Sequence, residues 1–172
     1  MKKIACLSAL ACILAASVGS AMAKSTVTGG YAQSDIQGFG NKAKGFNLKY
    51  RFEDQTNPLG WIASFTYTEK DYTKFNTDYY KGHYYGVTAG PAYRFNDWAS
   101  IYGVIGIGYG KLQYSSQTLP RDKDDLSDVG FSYGAGLQFN PMDNVAIDVG
   151  YEQSRVRSYD IGTWIAGVGY SF

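Results

Sequence analysis

Few residues in this chain of 172 could do chemistry on a substrate. His83 is the only histidine. Joined to a serine and an acid it could activate an ester bond, the chemistry of a lipid-modifying enzyme. It stands beside Tyr84 at the start of an alternating stretch, with no nearby serine in sequence and no motif, so no catalytic residue is assigned. Arg121-Asp122-Lys123-Asp124-Asp125, with Asp128 after it, offers carboxylates to a calcium ion. The spacing is not that of an EF-hand, and mixed charge of this kind suits a solvated loop. Gly106-x-Gly108-x-Gly110 has the period of a strand and no helix after it, so it is not a nucleotide loop. Both cysteines, Cys6 and Cys12, lie near the start, so the remainder has neither a disulfide nor a thiolate metal site. No cofactor and no metal is expected.

Recognition chemistry is better represented. Tyr72, Phe75, Tyr79 and Tyr80 are interleaved with Lys70, Lys74 and Lys81. Exposed aromatics beside long cations suit protein recognition. The same residues also suit an aromatic girdle with lysines meeting lipopolysaccharide phosphates. If the flanking strands continue through the stretch, they offer an edge to which a partner's strand could add.

The elements that would carry these residues follow from alternation. Phe46, Leu48, Tyr50 and Phe52 alternate with Asn47, Lys49, Arg51 and Glu53, which only a strand separates onto two faces. The same period recurs over Thr26–Ala32, Leu59–Thr68, His83–Phe95, Ala99–Lys111, Val129–Phe139, Val145–Ser154 and Gly162–Phe172. Pro91 is a local irregularity in the fourth of these segments. The joins after the second, fourth and sixth segments are short turns, and the others are longer and more polar. Short turns at one end and long loops at the other is the layout of an outer-membrane barrel. An even number of strands closes without an edge facing lipid. The fold class is therefore all-β, an eight-stranded antiparallel up-and-down transmembrane β-barrel occupying residues 24–172. A soluble barrel or sandwich would have to bury the aromatic faces against each other.

Polarity orients the faces. Lys49, Arg51, Glu53, Arg94, Asp148 and Glu152 share the face with the Ser, Thr and Gly residues, and that face belongs inside, as a network of paired charges. Gly106, Gly108, Gly134, Gly136, Gly167 and Gly169 would make room for it in an interior only wide enough for side chains. A filled interior argues against a pore for anything larger than ions.

Met1–Ala23 has two lysines, an apolar core and Ala21-Met22-Ala23, the pattern of a secretory signal peptide cleaved after Ala23. With Lys2 and Lys3 removed, 16 basic residues against 15 acidic become a near balance, and nothing points to nucleic acid.

The runs TVTGGYAQSD (Thr26–Asp35), GFNLKYRFE (Gly45–Glu53), FTYTEK (Phe65–Lys70), TAGPAYRFNDWASIYG (Thr88–Gly103), GFSYGAGLQFNPM (Gly130–Met142) and GTWIAGVGYSF (Gly162–Phe172) closely resemble the Ail/Lom family of enteric outer-membrane adhesion and invasion proteins. The resemblance covers the chain and is weakest in the long loops after strands three and five. It implies a barrel whose central strands extend past the membrane as a ragged sheet. It also implies adhesion to host cells, entry and complement resistance for some members. Host or extracellular proteins, outer-membrane lipid and lipopolysaccharide are then the expected partners of a monomer. Tyr170 and Phe172 resemble the terminal signal read by the outer-membrane assembly machinery, which would follow handling by periplasmic chaperones. A structural or envelope-stress role without a dedicated ligand is the alternative.

Overall fold

The computed structural model describes residues 23–36, 39–54, 56–74, 78–116, 126–156 and 159–172. They form eight strands: β1 Ala23–Ile36, β2 Phe39–Asp54, β3 Leu59–Lys74, β4 Asp78–Asn96, β5 Ala99–Ser116, β6 Leu126–Met142, β7 Val145–Val156 and β8 Tyr159–Ser171. Each pairs antiparallel with the next, and β8 pairs with β1 to close the barrel. Phe75, Arg121–Asp125 and the segment 1–22 lie outside the described residues.

The stagger of the barrel can be followed through its partners. Thr28, Lys49, Ser64, Thr88, Gly106, Ser132, Ser154 and Ile161 succeed one another from strand to strand. Ile161 then pairs with Ile36, so the ladder returns to β1 eight residues from where it began. A closed sheet with that shift must tilt its strands against the barrel axis, and eight strands leave an interior that side chains fill.

Alternation decides which side chains fill it. On β2, Asn47, Lys49, Arg51 and Glu53 are buried while Phe46 and Phe52 are exposed. On β5, Tyr102 and Val104 are buried while Ile101, Ile105 and Ile107 are exposed. Large apolar side chains face out and polar ones face in, the reverse of a water-soluble barrel and the pattern that hydrocarbon demands. Aromatic contacts mark two levels of the outer surface. Phe46, Tyr67, Tyr85 and Tyr109 form a chain of ring contacts at one level. Tyr93 with Phe95, and Trp98 with Phe139, lie near the short turns.

Pro91 stays on the lipid-facing side, and the β4–β5 ladder pauses between the pairs Ala89–Ile105 and Ala92–Tyr102 without a change of register. Proline has no N–H to give there, and the neighbouring rungs carry the strand across the gap.

The strands are longer than the alternation indicates. The stretch Glu69–Gly82, read as a polar connection, is mostly strand: β3 reaches Lys74 and β4 starts at Asp78. β5 likewise runs on to Ser116 and β2 starts at Phe39. Hydrophobic alternation reports only the part of a strand that has lipid on one side. Beyond the membrane both faces are wet, the alternation fades, and the backbone pairing continues.

Candidate functional site

Two regions bear on function: the sheet standing above the barrel and the packed interior below it. β3 and β4 remain paired beyond Tyr67 and Tyr85, through Glu69–His83 and Tyr72–Tyr80 to Lys74–Asp78. β4 and β5 remain paired as far as Asp78–Ser116. The β2–β3 ladder ends at Lys44–Glu69 and the β5–β6 ladder at Leu112–Leu126. Among the described residues, three strands therefore continue to pair with one another beyond the last rungs that join them to β2 and β6. At ~3.4 Å per residue, the six residues from Glu69 to Lys74 are about 20 Å of strand. Tyr72, Tyr79 and Tyr80 lie on this extension, and their places are known by register.

His83 sits at the base of the extension, outside the barrel. Its Nδ1 is 3.0 Å from Tyr67 Oη, and that hydroxyl donates to Glu69 Oε2 at 2.8 Å. Glu69 Oε2 is 4.0 Å from the same nitrogen. Lys44 and Lys111 are the cross-strand neighbours of Glu69 and His83. A histidine held by tyrosine and glutamate at the girdle is a mixed polar rim, and a Ser–His–acid relay is not assembled among the described residues. Nor do three His, Cys, Asp or Glu side chains gather as metal ligands among them.

Inside, the six charged residues named above meet in separate groups. Lys49 Nζ contacts Asp148 Oδ1 and donates to Tyr102 Oη at 2.6 Å, and Tyr102 donates to Asp148 at 3.0 Å. Nearer the short turns, Arg51 Nη2 donates to Glu53 Oε1 at 2.5 Å. Arg94 clasps Glu53 with Nε at 3.0 Å and Nη2 at 2.6 Å. Arg51 Nη1 also reaches Ser100 at 2.5 Å and Gln138 at 2.9 Å. Glu152 departs from the expected charge pairing: Ser64 donates to it at 2.8 Å and Thr66 at 2.9 Å. Hydroxyl donors satisfy a carboxylate as a cation would, and Asn47 bonded to the same two hydroxyls fixes their direction.

Tyr102, Ser100 and Gln138 are participants that charge alone did not reveal. The signal for Tyr102 lay in the glycines opposite. A Cβ on Gly136 would stand 2.2 Å from Tyr102 Oη, and one on Gly150 would stand 2.5 Å from it. Gly108 serves Tyr84 in the same way, at 2.7 Å. Gly106 has another reason, since its Cβ would meet the Val87 carbonyl oxygen at 2.0 Å. Tyr84, bonded to Ser132 and Ser154, packs with Val156 and Ile161 and closes the end of the interior beneath the extension.

Outside the spanning segments, Thr56 donates its backbone N–H at 3.1 Å and its hydroxyl at 2.9 Å to Asp54, holding that carboxyl below the usual range. Arg155 Nε, 2.8 Å from Asp160, does the same for Asp160.

The model for the outer membrane protein beta-barrel domain matches residues 4–172. The chain belongs to that family. It is 68% identical to outer membrane protein X of Escherichia coli K12 across the full length of both chains. It is 42% identical to the attachment invasion locus protein of Yersinia enterocolitica, again across both full lengths. The crystal structure of Ail, the attachment invasion locus protein of Yersinia pestis, in complex with the heparin analogue sucrose octasulfate superposes with a TM-score of 0.81 at 40% identity. That match covers 88% of this chain and 99% of the other. The chain is thus an outer-membrane β-barrel of a virulence and adhesion family. Both ends of the barrel chain, Ala23 and Phe172, lie with the short turns, which in such barrels face the periplasm. The extended sheet stands on the extracellular side.

Proposed function

We propose that this protein is a non-enzymatic surface protein that presents its extended β3–β4–β5 sheet to extracellular proteins, in attachment to host cells or defence against complement. The observation that carries the reading is the pairing that continues to Lys74–Asp78 and Asp78–Ser116, beyond the last rungs that join β3 to β2 and, among the described residues, β5 to β6. Ordering these strands above the membrane costs conformational entropy and is of no use to a barrel that only needs to close. Tyr72, Tyr79 and Tyr80, with Phe75 between them in sequence, are the proposed contacts. The attachment invasion locus relatives support the reading by name, and the sucrose octasulfate complex adds sulfated sugar as a ligand class to be probed.

The test compares bacteria displaying the intact protein with bacteria lacking Tyr72–Tyr80 and Leu119–Asp125, the barrel levels being matched by heat-dependent mobility. Binding to host cells, serum proteins and immobilised heparin should fall in the trimmed strain. Equal binding by both, or by neither, would replace this reading with a structural role in the envelope, for which the charge-paired interior is sufficient.

We also propose that Tyr170 and Phe172 serve assembly. Phe172 faces lipid, and its backbone exchanges two hydrogen bonds with Ser25, at 2.9 and 2.8 Å. Phe172→Ala keeps both bonds. It should nevertheless lower the amount of folded barrel in the outer membrane while leaving the stability of the purified protein nearly unchanged. Normal levels in the membrane would refute the role.

A further inference from the structure

The register of the extension sorts its residues onto two faces. β3 and β4 pair without a shift from Leu59–Tyr93 to Lys74–Asp78, and β4 and β5 pair without a shift from Ala89–Ile105 to Asp78–Ser116. Parity therefore carries both faces of the barrel wall, unbroken, into the sheet above it. Thr68, Tyr84 and Val104 are buried in the interior, so the even-numbered residues of these three strands keep to that side. Tyr72, Tyr80 and Tyr114 are successive cross-strand partners there. Thr73, Tyr79 and Ser115 are the matching row on the outer side. The aromatics interleaved in the sequence are thus divided: Tyr79 belongs to the outer side, and Tyr114 of β5 joins Tyr72 and Tyr80. Adjacent strands lie ~4.8 Å apart, so the tyrosine row spans about 10 Å. Along β4, Tyr80 is four residues beyond Tyr84, or ~14 Å. Tyr84 packs with Val156 and Ile161, and β7 ends at Val156. The row therefore stands above the closed mouth of the barrel.

We propose that the side of the extension bearing Tyr72, Tyr80 and Tyr114 is the docking face, and that its partner is an acidic segment of an extracellular protein that also carries apolar side chains; this rests on the surface-protein reading and narrows it to one face. Tyrosine offers a large amphipathic contact area at little cost in side-chain entropy, and it is enriched where protein interfaces concentrate their binding energy. Leu112 belongs to the same face, two residues before Tyr114. Charge selects the partner. Lys70 and Lys74 flank Tyr72 on this face of β3, and Asp78 is the cross-strand partner of Lys74. Two lysines against one aspartate leave a net positive charge of one, which suits a carboxylate or two beside apolar side chains. A polysulfated sugar would need more cations than these and would meet Asp78. On the outer side, Asp71 is matched by Lys81 across the β3–β4 ladder, and no sign of charge is favoured.

A random peptide phage library panned on the full barrel in lipid nanodiscs, with counter-selection on the form lacking Tyr72–Tyr80, tests the face and the partner together. The selected peptides should combine Asp or Glu with apolar side chains. A synthetic copy should bind Tyr80→Thr and Tyr114→Thr ~30-fold more weakly, the loss expected at a binding hot spot. Threonine keeps strand propensity, and hydrogen exchange of the β4 and β5 amides checks that the sheet is intact. Intermolecular NOEs from the bound peptide should reach the Tyr80 and Tyr114 rings, a reading that needs no variant. Thr73→Gln with Ser115→Gln, at the same height on the outer side, should leave binding unchanged. Tyr114 lies outside Tyr72–Tyr80 and Leu119–Asp125, so its effect separates the docking face from the broader reading. Peptides that bind through the extension yet ignore Tyr114→Thr, or that are lost only in the Thr73→Gln, Ser115→Gln protein, overturn the face and leave the surface-protein reading standing. Selected peptides without acidic residues, or a face that holds immobilised heparin and no peptide, overturn the partner class. If the intact protein selects nothing over the trimmed form, both readings fall.

Discussion

Asp148→Ala is expected to destabilise the barrel by ~3–5 kcal/mol, the cost of leaving one member of a buried ion pair without its partner. Both Lys49 and Asp148 are 1% exposed, so the abandoned ammonium cannot turn to bulk water. Tyr102 loses its acceptor in the same step and is left with Lys49 as its bonded neighbour. The comparison that isolates charge from volume is the double change Lys49→Met with Asp148→Leu. Replacing a buried pair by apolar groups is often neutral or stabilising by about 1–4 kcal/mol. Reversible urea unfolding in lipid bilayers measures both. If Asp148→Ala costs under 1 kcal/mol, about the median worth of an exposed pair, the interior is wetter than this geometry requires. If the double variant is as unstable as the single one, shape rather than charge governs the site.

Ile105→Arg should cost ~2–4 kcal/mol, because its side chain would enter lipid near the middle of the bilayer. Ile105 is 63% exposed and lies on β5 between Tyr109 at the outer girdle and Trp98 at the inner one. Met142 is a paired control. It is 68% exposed, ends β6 at a periplasmic turn, and can place an arginine among head groups. There the cost should fall to ~0–1 kcal/mol. Unfolding in bilayers reads the difference between the two sites. Equal costs would mean that the exposed band is not the hydrocarbon-facing surface, and the assigned membrane level would have to move.

What the sequence discloses and what it hides follow from the same physics. Lipid on one side and packed polar groups on the other force Phe46, Leu48, Tyr50 and Phe52 apart from Asn47, Lys49, Arg51 and Glu53, so the faces are legible residue by residue. The partners across the interior are not. Lys49 and Asp148 are 99 residues apart in sequence, and parity assigns both to the inside without saying which meets which. That needs the register of every intervening strand pair and the stagger of the closed sheet. Glu152 shows the consequence: it is buried inside, and the closed sheet sets it across the interior from β3, where Ser64 and Thr66 are its donors. The β3–β4 extension was hidden for the opposite reason. Lys70–Lys74 sits where water replaces lipid, and the pattern that identifies a strand is a pattern of the solvent around it.

The pairing of Ser25 with Phe172 sets an order in time. Strands β2 to β7 each pair with the strand before and the strand after them in the chain, whereas β1 has one of its two partners at the opposite terminus. During synthesis from the N-terminus, half of the hydrogen-bonding capacity of β1 is unspent until the final residues exist. No partial chain can be a smaller version of the finished barrel. Each is an open sheet with two free edges and a row of aromatics that water does not tolerate. Such long-range closure is slow and leaves the intermediate prone to aggregation. Completion is therefore all or nothing, and the interval before it is when this protein is most vulnerable.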